Sequence, residues 1–196
     1  MFTGIIEAIG RVAAAKPAGE STVLQIDAGG LDMSDVAAGD SIACNGVCLT
    51  VTSLVPKGFT VDLSQETLRV TAGFGAGNAI NLEKSLRLSD RLGGHLVSGH
   101  VDGVGSVTAV KPVDANREIL VRFPAALGRY VARKGSITVN GVSLTVNDVT
   151  IDTFLVNLIP HTLAVTNLGE LKRGDKVNLE VDLLARYVER ILEDSE

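Results

Sequence analysis

Shifted by 95 residues, the chain matches itself, and this internal repeat constrains the fold more than any other feature. Cys44-Asn45-Gly46-Val47-Cys48-Leu49-Thr50-Val51 falls on Val139-Asn140-Gly141-Val142-Ser143-Leu144-Thr145-Val146, with six of eight positions identical. The same shift pairs Ser41-Ile42 with Ser136-Ile137, Phe59 with Phe154, Thr67-Leu68 with Thr162-Leu163, Gly4 with Gly99 and Gly10 with Gly105. A two-residue slip then sets Asn81-Leu82-Glu83 on Asn178-Leu179-Glu180. Packing alone explains repeated apolar positions. It explains the repeated Asn, Thr and Ser less well. The period is far too long for a solenoid unit, so each copy is the size of a small domain.

Within each copy the segments are short, rich in Val, Ile, Thr and Leu, and separated by Gly, as in Leu120-Val121-Arg122-Phe123 and Asn178-Leu179-Glu180-Val181-Asp182. This is an all-β pattern. An open sheet of that size leaves unpaired edges, so each copy is expected to close into a barrel. Short helices are predicted near Leu127 to Arg133 and Asp32 to Ala38. Beyond both copies the pattern changes. Leu183, Leu184, Tyr187, Val188, Ile191 and Leu192 recur at three and four residues, with Arg186, Glu189, Arg190 and Glu193 opposite. That is an amphipathic helix of about three turns. Its apolar stripe needs a partner, either a barrel or copies of itself. The expected organisation is a first barrel over 1–94, a second over 95–182 and an oligomerising helix over 183–196.

Charge narrows the partners. With 18 basic and 23 acidic residues the net charge is −5. Nucleic-acid binding needs clustered Lys and Arg, and a run such as Arg129 to Lys134 holds only Arg129, Arg133 and Lys134. No apolar stretch reaches the length of about 18 residues needed to span a bilayer, and Met1 to Glu7 lacks the marks of a secretory leader. A cytoplasmic protein is expected. On a continuous strand Cys44 and Cys48 would lie roughly 13 Å apart, too far for a disulfide, so two free thiols are expected. Neither has a histidine at ligand spacing, so no metal site is predicted.

The opening Met-Phe-Thr-Gly-Ile-Ile, the run Asn45-Gly46-Val47-Cys48-Leu49-Thr50-Val51, the linker Gly93-Gly94-His95-Leu96-Val97-Ser98-Gly99-His100-Val101, and Lys134-Gly135-Ser136 with Asn140-Gly141-Val142-Ser143-Leu144-Thr145 resemble the riboflavin synthase family over essentially the whole chain. The resemblance implies two tandem six-stranded Greek-key β-barrels, each binding one 6,7-dimethyl-8-ribityllumazine, and a C-terminal amphipathic α-helix. It implies a dismutation in which one lumazine gives a four-carbon unit to the other, yielding riboflavin and 5-amino-6-ribitylaminouracil, with no cofactor and no metal. It also implies a homotrimer, with each site between the first barrel of one subunit and the second of its neighbour. Association with lumazine synthase is left open.

By the same resemblance, Cys48, Leu49 and Thr50 contact one ligand, and Ser143, Leu144 and Thr145 the other. Asp62, Leu63, Ser64, Gln65, Glu66 and Thr67 line the first pocket. Asn157, Leu158, Ile159, Pro160, His161 and Thr162 line the second. Gly4, Ile5 and Ile6, with Gly99, His100 and Val101, cover the rings, and Lys134 contacts the second ligand. Cys48, His100, Ser143 and Asp182 are the catalytic candidates. The copies differ where chemistry can break their symmetry: Cys48 stands against Ser143, Ile5 against His100 and Glu66 against His161.

Each candidate has a competing structural reading. Cys48 is equally a buried apolar residue, and Ser143 a simple ligand donor. Asp182 before Leu183 suits a helix N-cap. His95 suits the ordering of a Gly-rich turn, and Phe2 a strand anchor. The rival functions are a non-catalytic lumazine- or flavin-binding antenna protein and a flavin-reductase-like barrel. The second needs a nucleotide-binding partner domain with a Gly-rich phosphate loop, and none is visible.

Overall fold

The computed structural model describes residues 1–193. The first copy supplies β1 (Ala8–Ala18), β2 (Ser21–Asp27), β3 (Ser41–Cys44), β4 (Val47–Val55), β5 (Gly58–Leu63), α1 (Gln65–Val70) and β6 (Ala79–Lys84). These strands close into a barrel in the order β1-β2-β5-β4-β3-β6. The second copy supplies β7 (Gly103–Val113), β8 (Asn116–Arg122), β9 (Ser136–Val139), β10 (Val142–Thr145), β11 (Asp148–Val149), β12 (Thr153–Leu158), α2 (Pro160–Val165) and β13 (Lys176–Val181). Its curled sheet runs β10-β9-β13-β7-β8-β12-β11.

The strand order is the same in both, but the second sheet stays open between β10 and β11, so of the two expected closed barrels only the first closes fully. Strand β4 pairs with both β3 and β5, with a register shift between Val51 and Ser53. Its counterpart is broken into β10, which pairs with β9, and β11, which pairs with β12. The break falls at Val146-Asn147, where the repeat places the β4 irregularity. A bulge inside one strand has become an interruption in the other. The irregularity in the first strand of each copy recurs too, between Val12 and Ala14 and between Val107 and Ala109.

Alternating side chains fill the two interiors. Leu24, Ile26, Phe59, Leu63 and Leu82 are fully buried in the first, and Val121, Phe154, Leu158 and Leu179 in the second, with Ile119 at 1% exposure. These are equivalent positions of the repeat, so one packing solution is used twice. Phe123 and Phe154 stack at 6.1 Å in the second core.

The barrels meet through polar groups. The β3–β4 turn and the β9–β10 turn touch back to back: a Cβ added to Gly46 would lie 2.7 Å from the Gly141 nitrogen. Around this contact lies a lattice of asparagines. Asn81 Nδ2 donates to Asn140 O (3.0 Å), and Asn178 Nδ2 to Asn45 O (2.9 Å). Asn167 N–H donates to Asn81 Oδ1 (2.7 Å), and Ala72 N–H to Asn178 Oδ1 (2.7 Å). Because Asn167 and Ala72 are repeat equivalents, the lattice is pseudo-twofold in its backbone bonds. Only the Asn167 side chain breaks it, donating to Asn45 Oδ1 (2.9 Å) and accepting from Asn81 Nδ2 (3.0 Å).

Three local expectations need correction. No helix forms over Asp32 to Ala38, which is a series of turns. There Asp32 Oδ1 accepts the Ser34 N–H and Asp40 Oδ2 the Ala37 N–H, so side chains take the donors a helix would use. The helix expected near Leu127 to Arg133 is a 3-10 segment over Ala125–Tyr130. Cys44 and Cys48 do not share one strand. They flank the β3–β4 turn, although both thiols are free as expected. That turn, Asn45-Gly46, has φ of 47° and 79°, and its copy Asn140-Gly141 has 48° and 79°. Positive φ at both central residues is the type I′ hairpin that Asn-Gly favours.

The C-terminal helix forms as expected, as α3 (Leu183–Glu193). Its polar side reaches the second barrel: Glu189 accepts from Tyr130 Oη and from Arg129 (2.5 Å), and Arg186 pairs with Asp102. Leu184, Tyr187, Val188, Ile191 and Leu192 are each more than half exposed. No helix is long and apolar enough to cross a membrane among the described residues.

Candidate functional site

The chain entering each barrel first crosses to the other one. Ser143 N–H in β10 donates to Gly4 O (2.8 Å), and Cys48 N–H in β4 donates to Gly99 O (2.8 Å). Ile6 packs on the second core and Val101 on the first. The segment before β1 therefore covers the Ser143-Leu144-Thr145 motif, and the segment before β7 covers Cys48-Leu49-Thr50. Both glycines are required by geometry. Gly4 has φ +76°, and an added Cβ would lie 2.6 Å from Ser143 Cβ. Gly99 has φ +80°, and its Cβ would lie 2.6 Å from Cys48 Cβ.

Each crossing segment is held by a buried carboxylate on the barrel it leads into. Glu83 accepts the Thr3 N–H (2.6 Å), the Thr3 hydroxyl (2.7 Å) and the Gly4 N–H (3.0 Å). Glu180 accepts the Ser98 N–H (2.7 Å), the Ser98 hydroxyl (2.6 Å) and the Gly99 N–H (3.0 Å). Burial raises both carboxyls above the ordinary value, and the bonds from these segments oppose that rise. Phe2, fully buried against Ala43, Val97 and Cys48, pairs its backbone with Val97 and anchors the two segments to each other.

The catalytic candidates fall into two unlike settings. Cys48 is half-buried behind Gly99, whereas Cys44 is fully buried and its thiol is pushed well up by desolvation. An inert Cys44 fits that burial. On the other side, Ser143 Oγ lies 2.7 Å from His95 Nδ1. Burial lowers the His95 pKa, and the nearby Asp182 charge partly offsets this. His95 Nε2 is buried with no hydrogen-bond partner among the described residues. Thus His95, expected only to order a turn, joins Ser143 and Asp182 in one cluster. The repeat could not expose it, because no position of the first copy corresponds to it. Asp182 also caps α3, its Oδ1 accepting the Leu184 N–H (3.0 Å).

His100 is exposed and lines a cleft of about 520 Å³ with Ser98, Asp102, Leu183, Arg186 and Tyr187. The equivalent cleft of the first copy, about 480 Å³, is lined by Thr3, Ile5, Glu7, Glu83 and Gly93 among others. Glu7 and Asp102 play the same backbone role, accepting the N–H of Lys84 and Val181. Ser64, Gln65 and Glu66 line a separate cleft of about 470 Å³ with Glu20 and Ser21. Ser64 caps α1 through the Thr67 N–H, and Glu66 pairs with Arg69. In the second copy Pro160 opens α2, and Ile159 and His161 are exposed. Leu49, Leu63 and Leu158 belong to the barrel cores, while Thr50, Asp62 and Thr145 are exposed and Asn157 and Leu144 half-buried. Lys134 stands at φ 67°, where the first copy has Gly39 at 99°. A lysine has been placed where glycine is the unstrained choice, a strain of order 1–2 kcal/mol.

Comparison with known proteins agrees with this duplicated architecture. The lumazine binding domain model matches residues 3–85 and again 98–182. Riboflavin synthase of Photobacterium leiognathi is 48% identical over 194 residues, covering 98% of this chain and 89% of that protein. The chain belongs to the riboflavin synthase family. Other family members include the Brucella abortus enzyme, 46% identical with 97% and 98% of the two chains covered, and that of Bacillus subtilis, 42% identical with 98% and 90% covered. The fold is also that of LumP. Its crystal structure complexed with riboflavin superposes with TM-score 0.84 at 24% identity, covering 92% of this chain and 99% of LumP. Its complex with 6,7-dimethyl-8-(1'-D-ribityl) lumazine gives 0.82.

Proposed function

We propose that this chain is a transferase that dismutates two molecules of 6,7-dimethyl-8-ribityllumazine into riboflavin and 5-amino-6-ribitylaminouracil. The observation that carries the reading is the pair of pseudo-equivalent Leu-Thr motifs, each under a segment crossing from the other half. Two identical substrates call for two matching pockets. Holding both in attack geometry can supply about 7–11 kcal/mol of a bimolecular barrier.

The remaining chemistry is modest. The C7 methyl of the electron-poor lumazine is acidic, so the reaction needs a base, a transient nucleophile and donors for the ring carbonyls. Ser143, with His95 Nδ1 as acceptor of its proton, serves as a nucleophile in the second pocket. Cys48 and His100 serve the first. Asp182 acts on the His95 ring through its charge and fixes the start of α3. Lys134 reaches the second ligand. The segments 62–67 and 157–162 contact the substrates through their exposed groups.

The working form in this reading is a cytoplasmic homotrimer in which the first pocket of one subunit faces the second pocket of its neighbour. The exposed apolar face of α3 supports self-association. Purified protein incubated with the lumazine alone, without reductant or metal, should form riboflavin, and Cys48→Ala should bind lumazine yet turn over poorly. A wild-type preparation that binds lumazine without forming riboflavin refutes catalysis. Wild-type rates in Cys48→Ala refute the role of that thiol.

A further inference from the structure

The crossing segments end in a relay that is repeated in both copies. Glu180 accepts the Ser98 hydroxyl proton, and the same Ser98 oxygen accepts the His100 N–H (3.3 Å). Glu83 accepts the Thr3 hydroxyl proton, and Thr3 Oγ1 accepts the Ile5 N–H (3.1 Å). The intervening glycine gives its N–H to the carboxylate and its C=O to Cys48 or Ser143. One buried carboxylate thus fixes three consecutive residues, the last of which lines a cleft. Glu83 and Glu180 are 4% and 3% exposed, a burial that carboxylates tolerate only when their acceptor sites are filled. The hydroxyl links the two ends of the relay, donating to the carboxylate and accepting from the residue two positions on. Thr in one copy and Ser in the other supply the same hydroxyl on different side chains.

We propose that Glu83–Thr3 and Glu180–Ser98 are two independent positioning pairs, each setting the cap of one lumazine pocket: Glu83–Thr3 that of the second barrel, Glu180–Ser98 that of the first. The proposal rests on the reading of Gly4–Ile6 and Gly99–Val101 as pocket caps. The carboxylates themselves are poor targets. A Glu→Gln change would turn an amide N–H toward backbone N–H donors. The half-buried Ser98 and the small Thr3 are better.

The test uses the full-length protein, with riboflavin as the titrant and its fluorescence as the signal. Ser98→Ala frees the cap, which must then be ordered when ligand binds, and should weaken one of two sites per chain by about tenfold. Thr3→Ala should do the same at the other site, and the double variant should weaken both. Each Ala variant should lower kcat at saturating lumazine, and Ser98→Thr and Thr3→Ser, which retain the hydroxyl, should rescue binding and kcat relative to the Ala variants. Melting temperatures are measured alongside. Ala variants with wild-type titrations and kcat overturn the proposal. A double variant that still keeps one tight site shows both pairs acting on a single pocket and overturns their independence. Ser98→Thr as impaired as Ser98→Ala overturns the role of the hydroxyl. Absence of riboflavin formation by the wild type instead refutes the enzymatic reading and leaves the titration arms intact.

Discussion

Replacing Asn167 by Ala tests whether side-chain hydrogen bonds fix how the barrels sit on each other. The substitution puts into the second copy the residue that the first already carries at Ala72, so the backbone tolerates it. Four bonds vanish: those from Asn81 Nδ2 (3.0 Å) and Asn140 Nδ2 (3.5 Å), and those to Asn45 Oδ1 (2.9 Å) and to Ala79 O (3.2 Å). Two of the abandoned groups keep a partner, since Asn81 Nδ2 still donates to Asn140 O and Asn45 Oδ1 still accepts the Asn81 N–H (2.9 Å). The bond lost by Asn140 Nδ2 is already long at 3.5 Å, so the orphan penalty is small and the loss is near the net value of two to three hydrogen bonds, about 2 kcal/mol. For a chain of this length that is a fall of about 4–8 °C in melting temperature. Scanning calorimetry of the purified variant measures it. An unchanged melting point would show that the lattice contributes nothing, and a loss above about 5 kcal/mol would show that the partners do not retain their remaining bonds.

Two further outcomes are expected. Because burial depresses the His95 pKa, the ring takes up its proton more readily in the unfolded chain than in the fold. Its contribution to stability is thus fully present above the ordinary imidazole value of 6.5 and is lost as pH falls from there through the folded pKa; urea titrations of wild type and His95→Asn should converge on acidification below 6.5, and a constant gap would refute the assignment. Removing residues 183–196 takes away an apolar face of five exposed side chains, and sedimentation should then show smaller assemblies than the full chain forms, an unchanged mass being the refuting result.

The barrels, their duplication and α3 were legible because each rests on a periodic signal: the 95-residue self-match, the alternation of the strands and the three-and-four spacing of Leu183 to Leu192. What escaped lies where one group serves two partners. Asn45-Gly46 read as part of an uninterrupted strand until its positive φ values made it a hairpin, although Asn-Gly between apolar runs is a strong turn signal. Asp32 and Asp40 took backbone donors that helix propensity would have left in place. His95 was discounted as a turn residue, because sequence distance hides that Ser143, on another hairpin, comes within 2.7 Å of it.

The repeated polar residues carry the deeper lesson. Asn45, Asn140, Asn81, Asn178, Glu83 and Glu180 match across the copies, yet none was singled out as a site. They act between halves rather than within one, and their meaning depends on a crossing that alternation cannot reveal. Under the proposed function, the chain leading into each barrel caps the other, and neither half would complete a pocket alone. A duplicated sequence can then diverge at Cys48 against Ser143, and at Ile5 against His100, without disturbing the scaffold. The backbone bonds, the buried carboxylates and the glycines at 4 and 99 bear the geometry and stay alike, while the side chains they present are free to differ. Under the proposed function, that division of labour would give two chemically distinct pockets for one substrate.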